Sequence, residues 1–334
     1  MEDNVSTMIE QFGLYLNNNC YLIYKNTLNI EYIKNNIDSN TSIIYFDNKF
    51  SLGDSLLNEL DNNVFDKLII IKNFKNRVRK KRLFHRKYFF KGALEHVKKR
   101  IFIIISLPDK YNEYKKLIKN LINLRKICLK LNIEWENLMD DHNIVGYIVG
   151  QDSKYIQDIV NAFRVLLLND QKQQYEFIYD ITCQYLDSQF KNKNLCDFRN
   201  DQCIANRNKT TSHCDMGCCY SFEYAHFWEP TFIKNVKLCN HFHNKSCSTA
   251  CISCKMFTCK DLRKNNIYFK INNLLLLDCF FDKKQHLVLK YNFFKTREQI
   301  IDKLLETNTS PYLIYYLNNN YRIKDFFLSK QISV

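Results

Sequence analysis

The sequence predicts an α/β N-terminal domain, a mostly parallel sheet with helices, followed by a cysteine-rich, metal-organised α+β lobe. Three observations predict it. Short apolar runs alternate with helical patterns over residues 1–190, ten of the fourteen cysteines fall between Cys196 and Cys259, and regular periodicity returns after residue 261. A chain of 334 residues is long enough for two domains and a sizeable core. The domains are drawn at 1–190 and 191–334.

The strands come first. Cys20–Tyr24, Ser42–Phe46, Leu68–Ile71, Ile101–Ile105 and Ile144–Val149 are apolar on consecutive positions rather than alternating ones. Such runs suit strands covered on both faces, as in a parallel sheet. Between them lie helices. Over Asp109–Leu131, the residues Tyr114, Leu117, Ile118, Leu121, Leu124, Cys128 and Leu131 recur every three or four positions, with Pro108 and Asp109 at the start. Two more helices are expected at Ser153–Leu168 and Tyr175–Phe190. Strand–helix alternation favours a doubly wound layer arrangement.

Residues 191–260 show little periodicity, as expected where ligation sets the fold. Beyond them, Tyr268–Ile271, Leu274–Phe281 and His286–Tyr291 are apolar, and Thr296-Arg-Glu-Gln299 carries a capping-box signature. This tail is expected to mix helix and strand.

Composition excludes some chemistry. Six glycines, at 13, 53, 92, 146, 150 and 217, allow neither GxxxxGK[ST] nor GxGxxG, so no phosphate-cradling loop can be written. The segments Asp66–Phe74 and Lys99–Ser106 resemble the middle strands of AAA-type ATPases. The acid which that resemblance requires is missing, Asn73 standing nearby instead. NTP hydrolysis is therefore not expected. Gly146 and Gly150 have a small-xxx-small spacing that signals close packing.

Charge is concentrated. Residues 72–100 contain thirteen Lys or Arg and one acid, Glu95, which is +12 of the chain's formal +14. Part of the lysine excess is what an AT-rich coding sequence gives, and a solvated face is the bland reading. Phe84, Tyr88, Phe89 and Phe90 interleave with the cations Arg77, Arg79, Lys80, Lys81, Arg82, Arg86 and Lys87. Cations neutralise phosphates and rings stack on unpaired bases, so DNA or RNA is the leading partner, although an anionic membrane surface or an acidic protein would use the same charges. His85 and His96 are read as surface residues.

The cysteines carry the strongest signal. Cys196, Cys203, Cys214, Cys218, Cys219, Cys239, Cys247, Cys251, Cys254 and Cys259 lie among His213, His241 and His243. The start MEDNVSTMIEQFG has no basic n-region or apolar h-region, and no uncharged apolar run approaches the ~18 residues a span requires. A cytoplasmic location is expected, where thiols stay reduced and dense cysteines read as metal ligands. Tetrahedral zinc takes four donors at about 2.3 Å, so eight thiolates would fill two closed structural sites. Cys214-x3-Cys218-Cys219 and Cys247-x3-Cys251-x2-Cys254-x4-Cys259 are the two knuckles. Cys20, Cys128, Cys183 and Cys279 lie outside the cluster and are read as core.

Two resemblances follow from these residues. Cys214–Cys259, through Gly217-Cys218-Cys219, Cys239-Asn-His-Phe, Cys247 and Cys254-Lys-Met-Phe-Thr-Cys259, resembles a bacterial cysteine-rich family of zinc- or iron-chelating proteins. One cysteine of that pattern is spaced differently and its Arg-Pro dipeptide is absent. The resemblance implies metal chelation. Cys247, Cys251 and Cys254 have the CxxxCxxC spacing by which radical SAM enzymes hold a [4Fe–4S] cluster, but too little chain follows for their barrel. A plain [4Fe–4S] cluster on those cysteines is the alternative to zinc.

Catalysis is not expected. Cys214 follows His213, but neighbours in sequence rarely align for proton transfer, and a metal-bound thiolate is quenched. Asp215, Glu223 and Asp278 stand singly. The aromatics Tyr220, Phe222, Tyr224, Phe227, Trp228 and Phe232 are read as core around the metal lobe.

Overall fold

The computed structural model of the chain describes residues 14–15, 21–25, 31, 41–47, 68–72, 100–130, 144–150, 154–192, 198–199, 202–203, 220–224, 233–238, 242–243, 246–247, 251–293 and 295–307. The chain divides into two compact units, residues 1–169 and 170–334.

The first unit is built on a six-stranded sheet. Its strands are β1 (Leu14–Tyr15), β2 (Tyr21–Lys25), β3 (Thr41–Asp47), β4 (Leu68–Lys72), β5 (Arg100–Ser106) and β6 (Ile144–Val149). They lie in the order β1-β2-β6-β5-β3-β4. All pairings are parallel except the short β1, which runs antiparallel to β2. The two strands that resemble the middle strands of AAA-type ATPases, β4 and β5, are not neighbours, because β3 lies between them.

Burial explains the consecutive apolar runs. Five successive residues, Ile101 to Ile105, are at most 4 % exposed, so both faces of β5 are covered. Ile44, Tyr45 and Phe46 of β3 are buried in the same way. After β5 comes α1 (Tyr111–Lys130), which buries Tyr114, Leu117, Ile118, Leu121, Leu124 and Cys128 on its periodic stripe. After β6 comes α2 (Ile156–Leu167), burying Ile159, Val160, Phe163 and Leu166.

One buried cation joins these helices. Arg125 of α1 is 6 % exposed, and its Nε donates to the Leu166 carbonyl at 3.0 Å while Nη2 donates to Asn169 Oδ1 at 3.0 Å. The last carbonyls of a helix lack partners inside it and carry the negative end of its dipole, so a guanidinium there is favourable. The Gly150 φ of 142° follows β6 directly, and an added Cβ would sit 2.9 Å from Leu107 Cβ. Close packing at this glycine is therefore physical as well as conformational.

The second unit begins with α3 (Gln171–Asn192), N-capped by Asp170, whose Oδ2 accepts from Gln173 N at 2.9 Å. The sequence boundary at residue 190 placed this helix in the first domain, but Tyr179, Cys183 and Leu186 are buried and α3 packs on the helices that follow residue 251. Three short antiparallel pairs of β-structure come next in sequence among the described residues. They are formed by β7 (Phe198–Arg199) with β8 (Gln202–Cys203), β9 (Tyr220–Tyr224) with β10 (Ile233–Leu238), and β11 (Phe242–His243) with β12 (Ser246–Cys247), three ribbons in all.

Then come α4 (Ile252–Met256), α5 (Lys260–Lys264), a 3-10 turn at Ile271–Asn273, α6 (Leu275–Phe280), α7 (Lys283–Tyr291) and α8 (Arg297–Glu306). Every regular element among the described residues from 251 to 307 is helical, so the apolar runs at 274–281 and 286–291 are helices. Capping boxes fix two of the starts. Thr296 and Gln299 exchange hydrogen bonds of 3.3 and 3.1 Å at α8, and Asp282 and Gln285 do so at 2.9 and 3.0 Å at α7. Among the described residues no helix is long and apolar enough to cross a membrane.

Two predictions follow for the first unit. Gly150→Ala combines a forbidden φ with a clash, and is expected to cost roughly 1–3 kcal/mol by chemical denaturation. Burial of Asp158, working against the favourable placing of an acid in the first turn of α2, pushes its carboxyl up to about 6. Its folded value lies above its ordinary one, so its stabilising contribution is full below about pH 4 and is lost as pH rises through 6. Asp158→Asn is therefore expected to gain on the order of 1–2 kcal/mol at pH 7.5 and nothing at pH 3.5.

Candidate functional site

The described thiols of the cluster centre on one turn. Cys251 is the N-cap of α4 and Cys254 its third residue. All five residues of α4 are buried, and five residues are too few for a helix to stand alone. Its shape comes from its neighbours. Ile252 N donates to the Tyr179 phenol of α3 at 3.0 Å. Ser253 Oγ donates to the Leu289 carbonyl at 2.6 Å and accepts from Asn292 N at 3.2 Å. Cys251 Sγ donates to the Asn292 carbonyl at 3.2 Å. Asn292 is the C-cap of α7, so the thiol-bearing turn closes that helix end and is held by it.

A third thiol belongs to this neighbourhood. Cys183 lies one helical turn beyond Tyr179 on α3, and it interacts electrostatically with Cys251 and with the Lys255 ammonium. Burial pushes the Cys183 thiol up to about 12, and Lys255 offsets only part of that. Burial, then the neighbouring Cys183, holds the Tyr179 phenol well above its usual range, with Cys251 and Cys254 acting in the same direction. Lys255 is 6 % exposed and ion-paired to Asp187 of α3. A buried ammonium without such a partner would be costly, so the pair fixes α4 on α3.

Around this centre α3 gathers the other helices. Arg297 at the start of α8 makes two parallel bonds to Asp180, Nε to Oδ1 and Nη2 to Oδ2, both 2.7 Å. The Asp180 carboxylate holds that guanidinium above its ordinary range. Gln285 of α7, 3 % exposed, donates to the Tyr175 hydroxyl at 2.6 Å, and Gln171 donates to the same oxygen at 2.7 Å.

The predicted site residues are placed unevenly. Cys251, Cys254 and Cys259 are buried with described side chains. Cys203 lies in β8 opposite Phe198, and Cys247 in β12 opposite Phe242, next to the His243–Ser246 pair. Cys196, Cys214, Cys218, Cys219, Cys239, His213 and His241 lie outside the described residues, as do Arg77, Arg79, Lys80, Lys81, Arg82, Arg86, Lys87, His85 and His96. Among the described residues no three His, Cys, Asp or Glu side chains converge to hold a metal ion. Cys251 and Cys254 are the donor type zinc takes and lie one turn apart, which is half of a tetrahedral set.

Sequence reasoning missed Lys255 and Tyr179, and it read Cys183 as core, which its burial matches, without placing it beside the cluster. Cys183 carries a signal, since its spacing of four from Tyr179 puts both on one helix face. Lys255 carries none, because its partner Asp187 is 68 positions away.

No protein-family profile matches the chain, and neither the curated proteins nor the solved structures contain a match to it.

Two measurements test this geometry. Tyr179→Phe leaves the buried Ile252 N–H without its acceptor and is expected to cost about 1–3 kcal/mol in urea unfolding. In the native chain at pH 8, iodoacetamide should label the half-buried Cys279 while Cys128 and Cys183, both raised to about 12 by burial, stay unmodified by mass spectrometry.

Proposed function

We propose that this is a cytoplasmic, non-catalytic metal-binding protein. Thiolates from Cys196 to Cys259 hold zinc in two structural sites, and the basic segment 72–100 contacts DNA or RNA. One observation carries the metal reading. In a stretch holding ten cysteines, Cys251 and Cys254 form a single buried turn with protein hydrogen bonds on both sides. Zinc would supply what burial withholds. A thiol away from water resists ionisation, and a bound cation reverses that balance while adding folding free energy. Cys251 would then give up its bond to Asn292 as its proton leaves.

The CxxxCxxC spacing of Cys247, Cys251 and Cys254 supports the second reading, a [4Fe–4S] cluster. Anaerobic purification with metal analysis separates the two. Two zinc ions per chain and a colourless solution support the first. Iron with sulfide and absorption near 400 nm supports the second. Cys251→Ser with Cys254→Ser should remove one zinc, and metal content unchanged in that variant would end the assignment of these two residues.

The nucleic-acid reading rests on thirteen cations against one acid in residues 72–100, with aromatics among them. Neutralising Arg79, Lys80, Lys81 and Arg82 removes four of these charges. The slope of log affinity for single-stranded nucleic acid against log salt is then expected to fall by about 2–3, at ~0.7 per phosphate contact. An unchanged slope would reject this face.

A further inference from the structure

The second unit holds an exposed ring that neither the metal reading nor the basic-segment reading uses. Tyr268 is 45 % exposed, yet the backbone that carries it is anchored on both sides. Before it, α5 ends on Asn266, a left-handed residue with φ 58°. Two bonds close that turn, Asn266 N to the Arg263 carbonyl at 2.9 Å and Ile267 N to the Leu262 carbonyl at 2.8 Å. After it, the chain passes through the extended Lys270 (φ −118°, ψ 140°) to the buried Ile271. Extended backbone sends alternate side chains to opposite sides, and exposure alternates here in the same way. Phe269, its ring centroid 5.5 Å from that of Phe190 on α3, and Ile271 face the unit. Tyr268 and Lys270 therefore face out.

Cations join the ring on this face. Lys270 Nζ lies 4.8 Å from the Tyr268 centroid, and the exposed Lys264 ends α5 four residues before Tyr268. No Asp or Glu occurs from Leu262 to Leu277. Among the described residues Lys264 and Lys270 form no ion pair, whereas Lys255 is spent on Asp187 and Lys303 on Asn292. The exposed residues between and beyond them are asparagines, Asn266 and Asn273 among them, whose amides both donate and accept.

We propose that this face binds single-stranded nucleic acid, a base stacking on Tyr268 while Lys264 and Lys270 contact the flanking phosphates. Stacking needs an exposed ring on rigid backbone and tolerates any base, because every base has a flat face. The Lys270 ammonium, already at the ring, is within reach of the phosphate of a nucleotide stacked there. An acidic peptide would match the two charges but brings no flat partner for the ring. The contact lies in the second unit, so it does not rest on residues 72–100.

The test uses the full chain and follows fluorescein-labelled oligothymidylate by anisotropy over a range of salt. Tyr268→Ala is expected to weaken binding about fivefold or more at an unchanged salt slope. Tyr268→Phe should keep the wild-type affinity, because stacking uses the ring and not the hydroxyl. Lys264→Ala combined with Lys270→Ala should lower the slope of log affinity against log salt by about 1.4, at ~0.7 per phosphate contact. All three side chains are exposed, so the heat-unfolding midpoint should stay at its wild-type value. If Tyr268→Ala lowers that midpoint, the lysine pair decides. Each variant is also made in the chain neutralised at Arg79, Lys80, Lys81 and Arg82. Failure of the basic-segment reading then shows in that background alone, and this face stands or falls by its own substitutions. Unchanged affinity in a folded Tyr268→Ala chain overturns the proposal, as does wild type that binds no oligothymidylate. Polyglutamate that displaces the oligomer as well as unlabelled oligothymidylate does would also overturn it, in favour of an acidic protein.

Discussion

The second unit depends on how a five-residue helix is satisfied in a dry place. A helix as short as α4 leaves its first N–H groups without internal partners, and here water cannot reach them. The Tyr179 phenol takes one of them, and the Ser253 hydroxyl spends its own bonds on the end of α7. Two helix termini thus complete each other. Tyr179 can do this because a phenol oxygen accepts as well as donates, while burial and then the neighbouring Cys183 keep it uncharged in that dry place. The arrangement ties residues 73 positions apart, which a short apolar contact could do without fixing register, and hydrogen bonds do with it.

From that point the metal question changes shape. If ligation alone organised residues 191–334, the helices there would lack a core. They have one, since Tyr179, Leu186, Leu277, Val288, Leu289, Ile300 and Leu304 are fully buried among α3, α6, α7 and α8. The cysteine-dense sequence between α3 and α4 therefore starts and ends on helices whose apolar residues are buried in a core. A metal ion drawing on Cys251 and Cys254 would join that sequence to a framework already in place. Beside that turn, burial holds the Cys183 thiol protonated.

Legibility in the sequence followed the range of the interactions. Apolar runs such as Ser42–Phe46 and Ile101–Ile105 fall on strands β3 and β5 because a strand covered on both faces has no polar position to interrupt it. The stripe from Tyr114 to Cys128 falls on α1, and Thr296–Gln299 opens α8, because both signals are local. The polar first turn of α3, Gln171 to Gln174, carries no apolar period, so that helix begins four residues before the expected start. Strand order was not readable. Nothing within Leu68–Ile71 says that β3 rather than β5 is its neighbour, because every run has the same composition. The same limit hid the surroundings of Cys183, whose partners come from residues 251–255.

What the described cations do bears on what the basic segment is for. Arg125 closes the end of α2, Lys255 pairs with Asp187, Lys303 donates to Asn292 Oδ1 at 2.6 Å, and Arg297 grips Asp180. Each is spent on a carbonyl, an amide or a carboxylate supplied by another element of the same unit. A segment with thirteen cations and one acid cannot neutralise itself in this way, and a compact state gains nothing from crowding like charges. Composition leaves such a segment two outlets, solvent with mobile counterions or a polyanion, and the proposed nucleic-acid contact is the second of them. A partner made of bases and phosphates would suit the cations and the rings of that composition together.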